Sequence, residues 1–300
     1  MKIIKIYLDK NTSTTIHGSI YGLDYVIEEE GYYTKIFLDT YNQRVEVIDY
    51  EGKDIDGLTT RLDYLAQKNN FGKVYLKAKS DDWEKFLTHG YILEGIFKHY
   101  YNGDNAYSLA KFFSKERRIS EGFEKENEII EEVAKIEPEV EFNSNLPNTY
   151  NIRPATKEDI PELIALYDRV FETYPIPLNQ PLYLEKLMDS DVYFMVITNG
   201  GKIVSAASAD MSKRYKNAEI TDCATHPDER GNGLMSVIIN ALENEMKDMG
   251  IICLYSIARS LSFGMNTVFK KHNYTYTGRL INNCNIFGKF EDMNVWIKKI

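Results

Sequence analysis

Three hundred residues exceed one small domain and suit two of ordinary size, and a chain with 43% apolar and 27% charged residues has the composition of a soluble globular protein. A net charge of -9 argues against sequence-independent nucleic-acid binding, which needs cationic contacts to phosphate, and is compatible with a cationic small substrate. The opening Met1-Lys2-Ile3-Ile4-Lys5-Ile6 is too interrupted by charge for a signal peptide, no run approaches the ~18 apolar residues of a membrane span, and the odd, widely spaced Cys223, Cys253 and Cys284 form neither a metal nor a disulfide pattern, so the expected location is the reducing cytoplasm, with no membrane partner.

Residues 1–50, rich in Ile, Tyr and Val, read as strands. Leu58 to Ala66 reads as a helix and Lys73 to Lys79 as a strand. Ile119 to Asn145 carries many Glu and Lys, with Ile129, Ile130, Val133 and Ile136 at helical spacing. Pro138 ends that helix, and Asn143 to Asn148 reads as a loop. The expected organisation is an N-terminal domain over 1–118, a connecting helix and linker over 119–149, and a second domain over 150–300.

In the second domain Tyr150 to Pro154 is a short strand, and Thr156 with Asp159 forms a capping box. The helix that follows has Ile160, Leu163, Ile164, Tyr167, Val170 and Phe171 on one face, and Pro175 and Pro177 stop it. A short helix covers Leu182 to Met188. Asp191 to Ile197 and Lys202 to Met211 form a hairpin around Asn199-Gly200-Gly201. Ala218 to Thr225 is a strand, Leu234 to Met246 an amphipathic helix, Ile251 to Ile257 a buried strand, and Asn266 to Lys271 lies on a helix. Two strands end the chain, around Thr275 to Asn283 and Met293 to Lys298, with a loop between. One internal similarity joins the halves. Phe86, His89, Tyr91 and Gly95 recur at identical spacing as Phe269, His272, Tyr274 and Gly278, each set after a strand and a helix and before another strand, Ala106 to Phe113 or Met293 to Lys298. This reads as a degenerate copy of one half-fold, against chance among Tyr-rich segments.

The sharpest local feature is His226-Pro227-Asp228-Glu229-Arg230-Gly231-Asn232-Gly233-Leu234-Met235, between a strand and a helix. Its glycines let backbone approach a ligand, and the helix dipole with its free N–H groups favours an anion. A tight structural turn is the alternative. Strand, Pro-x-x-Arg-Gly-x-Gly, helix, short strand and Asn-bearing helix together resemble the GNAT superfamily of N-acetyltransferases over residues 150 to about 280. The resemblance implies an α/β (α+β) fold: a GNAT domain with a mixed central sheet in the C-terminal half, preceded by a degenerate GNAT-like half. It implies acetyl-CoA as co-substrate, its pyrophosphate on Arg230, Gly231, Asn232, Gly233, Leu234 and Met235, its pantetheine along Cys223, Ala224 and Thr225, and a further contact from Asn266. Two positions depart from the pattern. Met235 stands where Gly or Ala is usual and must point away from phosphate. Phe269 stands where the family often has a tyrosine acid, and Phe cannot donate a proton.

A narrower resemblance runs through Glu219-Ile220-Thr221-Asp222-Cys223-Ala224-Thr225, Leu280 to Ile286, and Gly288 to Trp296. These are similar to the β-lysine N6-acetyltransferases, which also carry an extra N-terminal half. The resemblance implies acetylation of the terminal amine of (3S)-3,6-diaminohexanoate, giving the compatible solute Nε-acetyl-β-lysine.

Direct amine attack needs a base, because a lysine-type ammonium has a pKa of about 10.4. Glu219 and Asp222 are the candidates. Three apart on a strand, they are expected on opposite faces, with Asp222 preferred because it adjoins Cys223 and Ala224. A surface or capping carboxylate is the alternative for each. No histidine is placed beside Cys223 to make it a nucleophile, His226 reads as a turn residue, and the five histidines show no metal spacing, so no metal is expected. Asn282, Asn283, Glu291 and Asp292, around the final turn, are candidates for the substrate's second ammonium and carboxylate, against a solvated loop. Arg259 and Arg279 are alternatives for the carboxylate, against surface salt bridges. The N-terminal half, with Glu51-Gly52-Lys53-Asp54 in place of the glycine loop, is not expected to bind CoA. Other amines, or a silent CoA-binding sensor, remain as rivals, and the reading leaves room for a homodimer.

Overall fold

The computed structural model describes residues 3–17, 21–139, 146–171, 173, 176–286 and 288–300. The loop reading at Asn143, Ser144 and Asn145, and Pro175 as a helix stop, lie outside them.

A hairpin of β1 (Ile3–Tyr7) and β2 (Ser13–His17) precedes the main sheet. The N-terminal half then runs β3 (Gly22–Glu29), β4 (Tyr32–Asp39), β5 (Arg44–Gly52), α1 (Ile55–Lys68), β6 (Lys73–Lys79), α2 (Trp83–Thr88), β7 (Ile92–Tyr101) and β8 (Asp104–Phe112). Helices α3 (Lys115–Arg118) and α4 (Phe123–Ala134) connect the halves. Ile129 and Val133 of α4 are buried in the same apolar cluster as the C-terminal helices, so α4 is docked on that half.

The C-terminal half begins with β9 (Tyr150–Pro154). The Thr156–Asp159 capping box forms, over a 3-10 turn, Lys157–Asp159, before α5 (Ile160–Val170). Leu166 joins the expected buried face because α5 packs broadly on the sheet and α6 rather than along a narrow stripe. Then come α6 (Pro181–Met188), β10 (Val192–Asn199), β11 (Lys202–Ser212), β12 (Asn217–Thr225), α7 (Leu234–Asp248), β13 (Cys253–Arg259), α8 (Phe263–Lys271), β14 (Thr275–Ile286) and β15 (Lys289–Lys299). The stretch expected as a loop between the last strands is instead the end of a long hairpin. Asn285 pairs with Phe290 and Cys284 with Glu291, because burial against the N-terminal half keeps both strands extended.

Among the described residues thirteen strands form one sheet, in the order β3-β4-β5-β6-β8-β7-β14-β15-β13-β12-β11-β10-β9. Up to β10 this order is a palindrome. The parallel pair β5·β6, bridged by α1, answers to β12·β13, bridged by α7. The two glycines of the repeated motif meet at its centre, Gly278 opposite Gly95. Equivalent residues touching across a junction is what a two-fold relation requires. A Cβ on Gly278 would lie 2.2 Å from Glu94 O and 2.4 Å from Gly95 Cα, so the strands approach this closely only with glycine there.

Beside these glycines Lys73 and Glu94 form a fully buried ion pair, Nζ to Oε2 at 2.9 Å. Both belong to the N-terminal half, but the C-terminal half satisfies them. Lys73 Nζ also donates to Ile281 O (2.9 Å) and Asn283 Oδ1 (3.2 Å), and Glu94 Oε1 accepts from Ile281 N (2.8 Å). Burial drives the Lys73 pKa down to about 8 against the pull of Glu94. Removing one partner strands a buried charge, at a cost of about 3–5 kcal/mol, whereas removing both removes the problem. Urea unfolding should therefore show Lys73→Met destabilised by that order, with the Lys73→Met/Glu94→Met double variant recovering most of it. A single variant as stable as the parent would show that the pair does not hold the junction.

Candidate active site

The ladder between β12 and β13 stops early. Its parallel pairs are Asn217 with Cys253, Ala218 with Leu254 and Glu219 with Tyr255, and no described pair lies beyond. The strands therefore part after Glu219. Backbone groups on parting strands need partners, and an extended chain carrying amides of its own can supply them. Cys223, Ala224 and Thr225 lie on the parted stretch of β12.

A β-bulge shapes that stretch. Ser208 pairs with Thr221 and Ala206 with Ala224, so Asp222 and Cys223 together face Ala207, and Asp222 takes φ +54°. The extra residue reverses the alternation. Ile220 packs in the α7 cluster, but Ala224, four residues on, packs in the α5 cluster. Glu219 and Asp222 therefore share one face of the sheet, and the expectation of opposite faces is corrected. Asp222, 3% exposed, accepts from Ser208 Oγ at 2.7 Å. Glu219 is half-buried where the strands part. Burial first, then Asp210, Glu46 and Asp222, push its carboxyl up to about 7, with Lys77 opposing. Cys223 packs against the α7 cluster, and burial raises its thiol far above the ordinary range, which removes it as a ready nucleophile.

Beyond β12, His226 accepts from Asp228 N in a 3-10 turn, the turn role expected of it. Glu229 anchors the loop from below, accepting from Tyr150 Oη (2.6 Å) and Asn199 Nδ2 (3.1 Å). Gly231 (φ +86°) and Gly233 (φ +73°) adopt left-handed backbone, and a Cβ on either would meet nothing within 4 Å. Gly233 caps α7 without a side-chain hydrogen bond, leaving the first-turn amides to a ligand. Arg230 and Asn232 are exposed, while Leu234 and Met235 turn into the α7 core, so Met235 does point away from the loop. This is an open cradle that fits a pyrophosphate. At the equivalent helix of the N-terminal half, Asp54 Oδ1 accepts from Gly57 N at 2.8 Å, placing an acid where phosphate would sit.

Five expected ligand contacts are corrected. Asn266 is fully buried and saturated. Its Nδ2 donates to Arg259 O and Ser262 O, and its Oδ1 accepts from Asn294 Nδ2 and Trp296 Nε1, so no capacity is left for CoA. Asn282 Nδ2 binds the carbonyls of Glu116, Arg117 and Ile119 in the connector. Asn283 holds Lys73, Glu291 is gripped by Arg259 through two bonds of 2.7 and 2.8 Å, and Asp292 Oδ1 accepts from Asn282 N. These polar groups knit the terminal hairpin to the connector and the N-terminal half, because a buried hairpin must satisfy its polar groups internally. Arg279 is likewise engaged, by Glu126, Asn127 and Asn294. Phe269 is core, edge-on to Tyr274. A cavity of about 820 Å³ beside Arg117, Asn282 and Phe290 contains none of the loop residues or β12 acids in its wall.

Sequence reasoning missed the opposing wall. Asp210 on β11 faces Glu219 in register, with its pKa raised by burial and by Asp191. From the N-terminal half come Glu46 and Lys77, whose charges both act on Glu219, and Tyr100, whose ring lies 5.4 Å from that of Tyr255. A signal was available in β6, Lys-Val-Tyr-Leu-Lys-Ala-Lys, whose polar members alternate onto one face. The result is a partly exposed, acidic and Tyr-lined cleft where the halves meet.

Comparison with known proteins gives a consistent picture. A family model described as an acetyltransferase (GNAT) domain matches residues 151–263. The chain is 37% identical over 263 residues to the β-lysine N6-acetyltransferase of Methanococcus maripaludis, covering 88% of this chain and 95% of that protein. It is 34% identical over 272 residues to the enzyme of the same name from Methanosarcina mazei, covering 84% and 100%. It is 37% identical over 262 residues to the N-acetyltransferase YodP of Bacillus subtilis, covering 87% and 94%.

The loop makes a direct prediction. Gly233→Val puts a branched side chain into the open space over the α7 amides, at a backbone angle it tolerates poorly. Calorimetric titration should show acetyl-CoA affinity reduced by at least ~10-fold, with thermal unfolding checking that the fold survives. Unchanged affinity would remove the loop from the binding site.

Proposed function

The chain belongs to the GNAT family of N-acetyltransferases, and on that premise we propose that it transfers the acetyl group of acetyl-CoA to the terminal N6 amine of β-lysine, giving Nε-acetyl-β-lysine. The observation that carries the proposal is the half-buried Glu219 at the parting of β12 and β13, facing an acidic cleft suited to an amine with a second positive charge. Alignment along nearly the full length of two β-lysine N6-acetyltransferases supports the named substrate. The product keeps one ammonium and one carboxylate, a zwitterion of the kind that accumulates as a compatible solute, which fits a cytoplasmic enzyme.

Bound acetyl-CoA would supply the activated acetyl thioester, held by the Arg230–Met235 loop and the backbone of Cys223–Thr225. The chain's own task is to deliver a neutral amine. Near pH 7 only about one lysine-type amine in a few thousand is unprotonated. Glu219, poised near pH 7, takes the proton directly or through water. This reverses the order of preference reached from sequence, because Asp222 is tied to Ser208 within the bulge whereas Glu219 borders the cleft. Backbone N–H groups of the parted strand polarise the acetyl carbonyl.

Thiol release from acetyl-CoA, measured across β-lysine, lysine and polyamines, tests the activity. β-Lysine should give the highest kcat/KM, and absence of turnover with it would overturn the assignment. In the wild type kcat/KM should rise as pH passes about 7 and Glu219 loses its proton. Glu219→Gln should lower kcat about 100-fold at pH 7, abolish that inflection and leave the KM for acetyl-CoA nearly unchanged. The deficit should narrow toward pH 10 as free amine becomes common. Wild-type kcat in this variant would move the base to Asp222 or to water alone.

A further inference from the structure

The proposed substrate carries two ammonium groups and one carboxylate, and the acids around Glu219 answer only the first two. Arg259 is held by Glu291, and Arg279 by Glu126, Asn127 and Asn294, so neither is placed to receive a carboxylate. One cation does reach the cleft. Lys77 Nζ lies 5.2 Å from the ring centre of Tyr75, 5.4 Å from Phe97, 5.5 Å from Tyr100 and 5.9 Å from Tyr255. Three of these rings come from the N-terminal half and one from the strand that borders Glu219. No carboxylate among the described residues comes within ion-pairing distance of this ammonium.

We propose that Lys77 receives the carboxylate of the amino-acid substrate, so that the N-terminal half completes the active site and makes the enzyme select diamino acids over simple diamines. The inference rests on the reading of this cleft as the amine site.

Three observations carry it. The first is register. Glu46 pairs with Tyr75 in β5·β6, and Glu219 pairs with Tyr255 in β12·β13, at equivalent places in the two halves. Two residues beyond each tyrosine stand Lys77 and Ile257. At this place the N-terminal half presents a cation to the rings where the C-terminal half has an apolar side chain. The second is solvation. A half-buried ammonium surrounded by rings has lost much of its water, and ring faces replace only part of it. An incoming carboxylate would complete its coordination. Burial disfavours its charge, but the neighbouring tyrosines, Glu46 and Glu219 outweigh that and hold its pKa above the ordinary lysine range, so it stays cationic at neutral pH. The third is charge balance. Glu46 is paired with Arg44 at 2.7 Å and Asp222 is buried and bonded to Ser208, which leaves Asp210 and Glu219 for the two ammonium groups and Lys77 for the one carboxylate. A simple diamine leaves Lys77 unanswered and brings no anion to it.

The test compares β-lysine with 1,4-diaminopentane, the same skeleton lacking the carboxylate, in wild type and in Lys77→Met, which keeps length and apolar contact with the rings. Loss of a charge-assisted contact should lower the ratio of kcat/KM for β-lysine over the diamine by about 10- to 100-fold. The change should appear mainly in the KM for β-lysine, with acetyl-CoA KM unaffected. Lys77→Arg should recover part of the preference. Equal losses on both amines would assign Lys77 to packing and overturn the inference. If Lys77→Met unfolds, Lys77→Gln against Lys77→Arg gives the same comparison. Wild-type enzyme that acetylates the diamine but not β-lysine would overturn the functional reading as well. An unchanged ratio in an enzyme active on β-lysine overturns this inference alone.

Discussion

The buried pair Lys73–Glu94 governs the architecture. Two opposite charges without water cannot be left half-coordinated, and the groups that complete them, Ile281 and the Asn283 side chain, belong to the other half of the chain. This makes the N-terminal half and the terminal hairpin one packed unit. It also accounts for the glycine beside it, since Gly278 must let two backbones touch where the halves join. With that junction fixed, the outward residues of β6 are held against the ends of β12 and β13. The cleft exists only because the sheet runs unbroken through the junction.

Within the C-terminal half one inserted residue does comparable work. The bulge at Asp222 turns two acids that strand geometry would separate onto one face, and it lies where β12 leaves β13. Left-handed backbone at a non-glycine residue has a cost, and the hydrogen bond from Ser208 helps to hold it. Separated strands, clustered acids and the glycine loop on the next helix follow one another between Glu219 and Gly233.

The palindromic sheet also shows how two similar halves divide the labour. Both place a helix between parallel strands. Only one leaves the start of that helix open, at Gly233, while the other closes it with Asp54. A carboxylate cap stabilises its helix and repels phosphate in the same stroke. The N-terminal half retains Glu46, Tyr75 and Lys77 on the face turned to its neighbour.

The succession of strands and helices after residue 150, the glycine loop, the Thr156 capping box and the repeated Phe, His, Tyr and Gly spacing were legible in the sequence, because each depends on residues close together in the chain. The sequence by itself determined that these glycines would open a helix N-terminus and that Glu219 and Asp222 would lie near the end of one strand. Tertiary structure alone decided which way those acids point, since the bulge depends on pairing with β11. It alone decided that Asn266, Asn282, Asn283, Glu291 and Asp292 are spent on internal contacts, since hydrogen-bonding capacity is settled by neighbours up to a couple of hundred residues away. It alone brought Lys77 to Glu219. No local pattern can encode that meeting, because it follows from two halves sharing one sheet edge and burying the charges that join them.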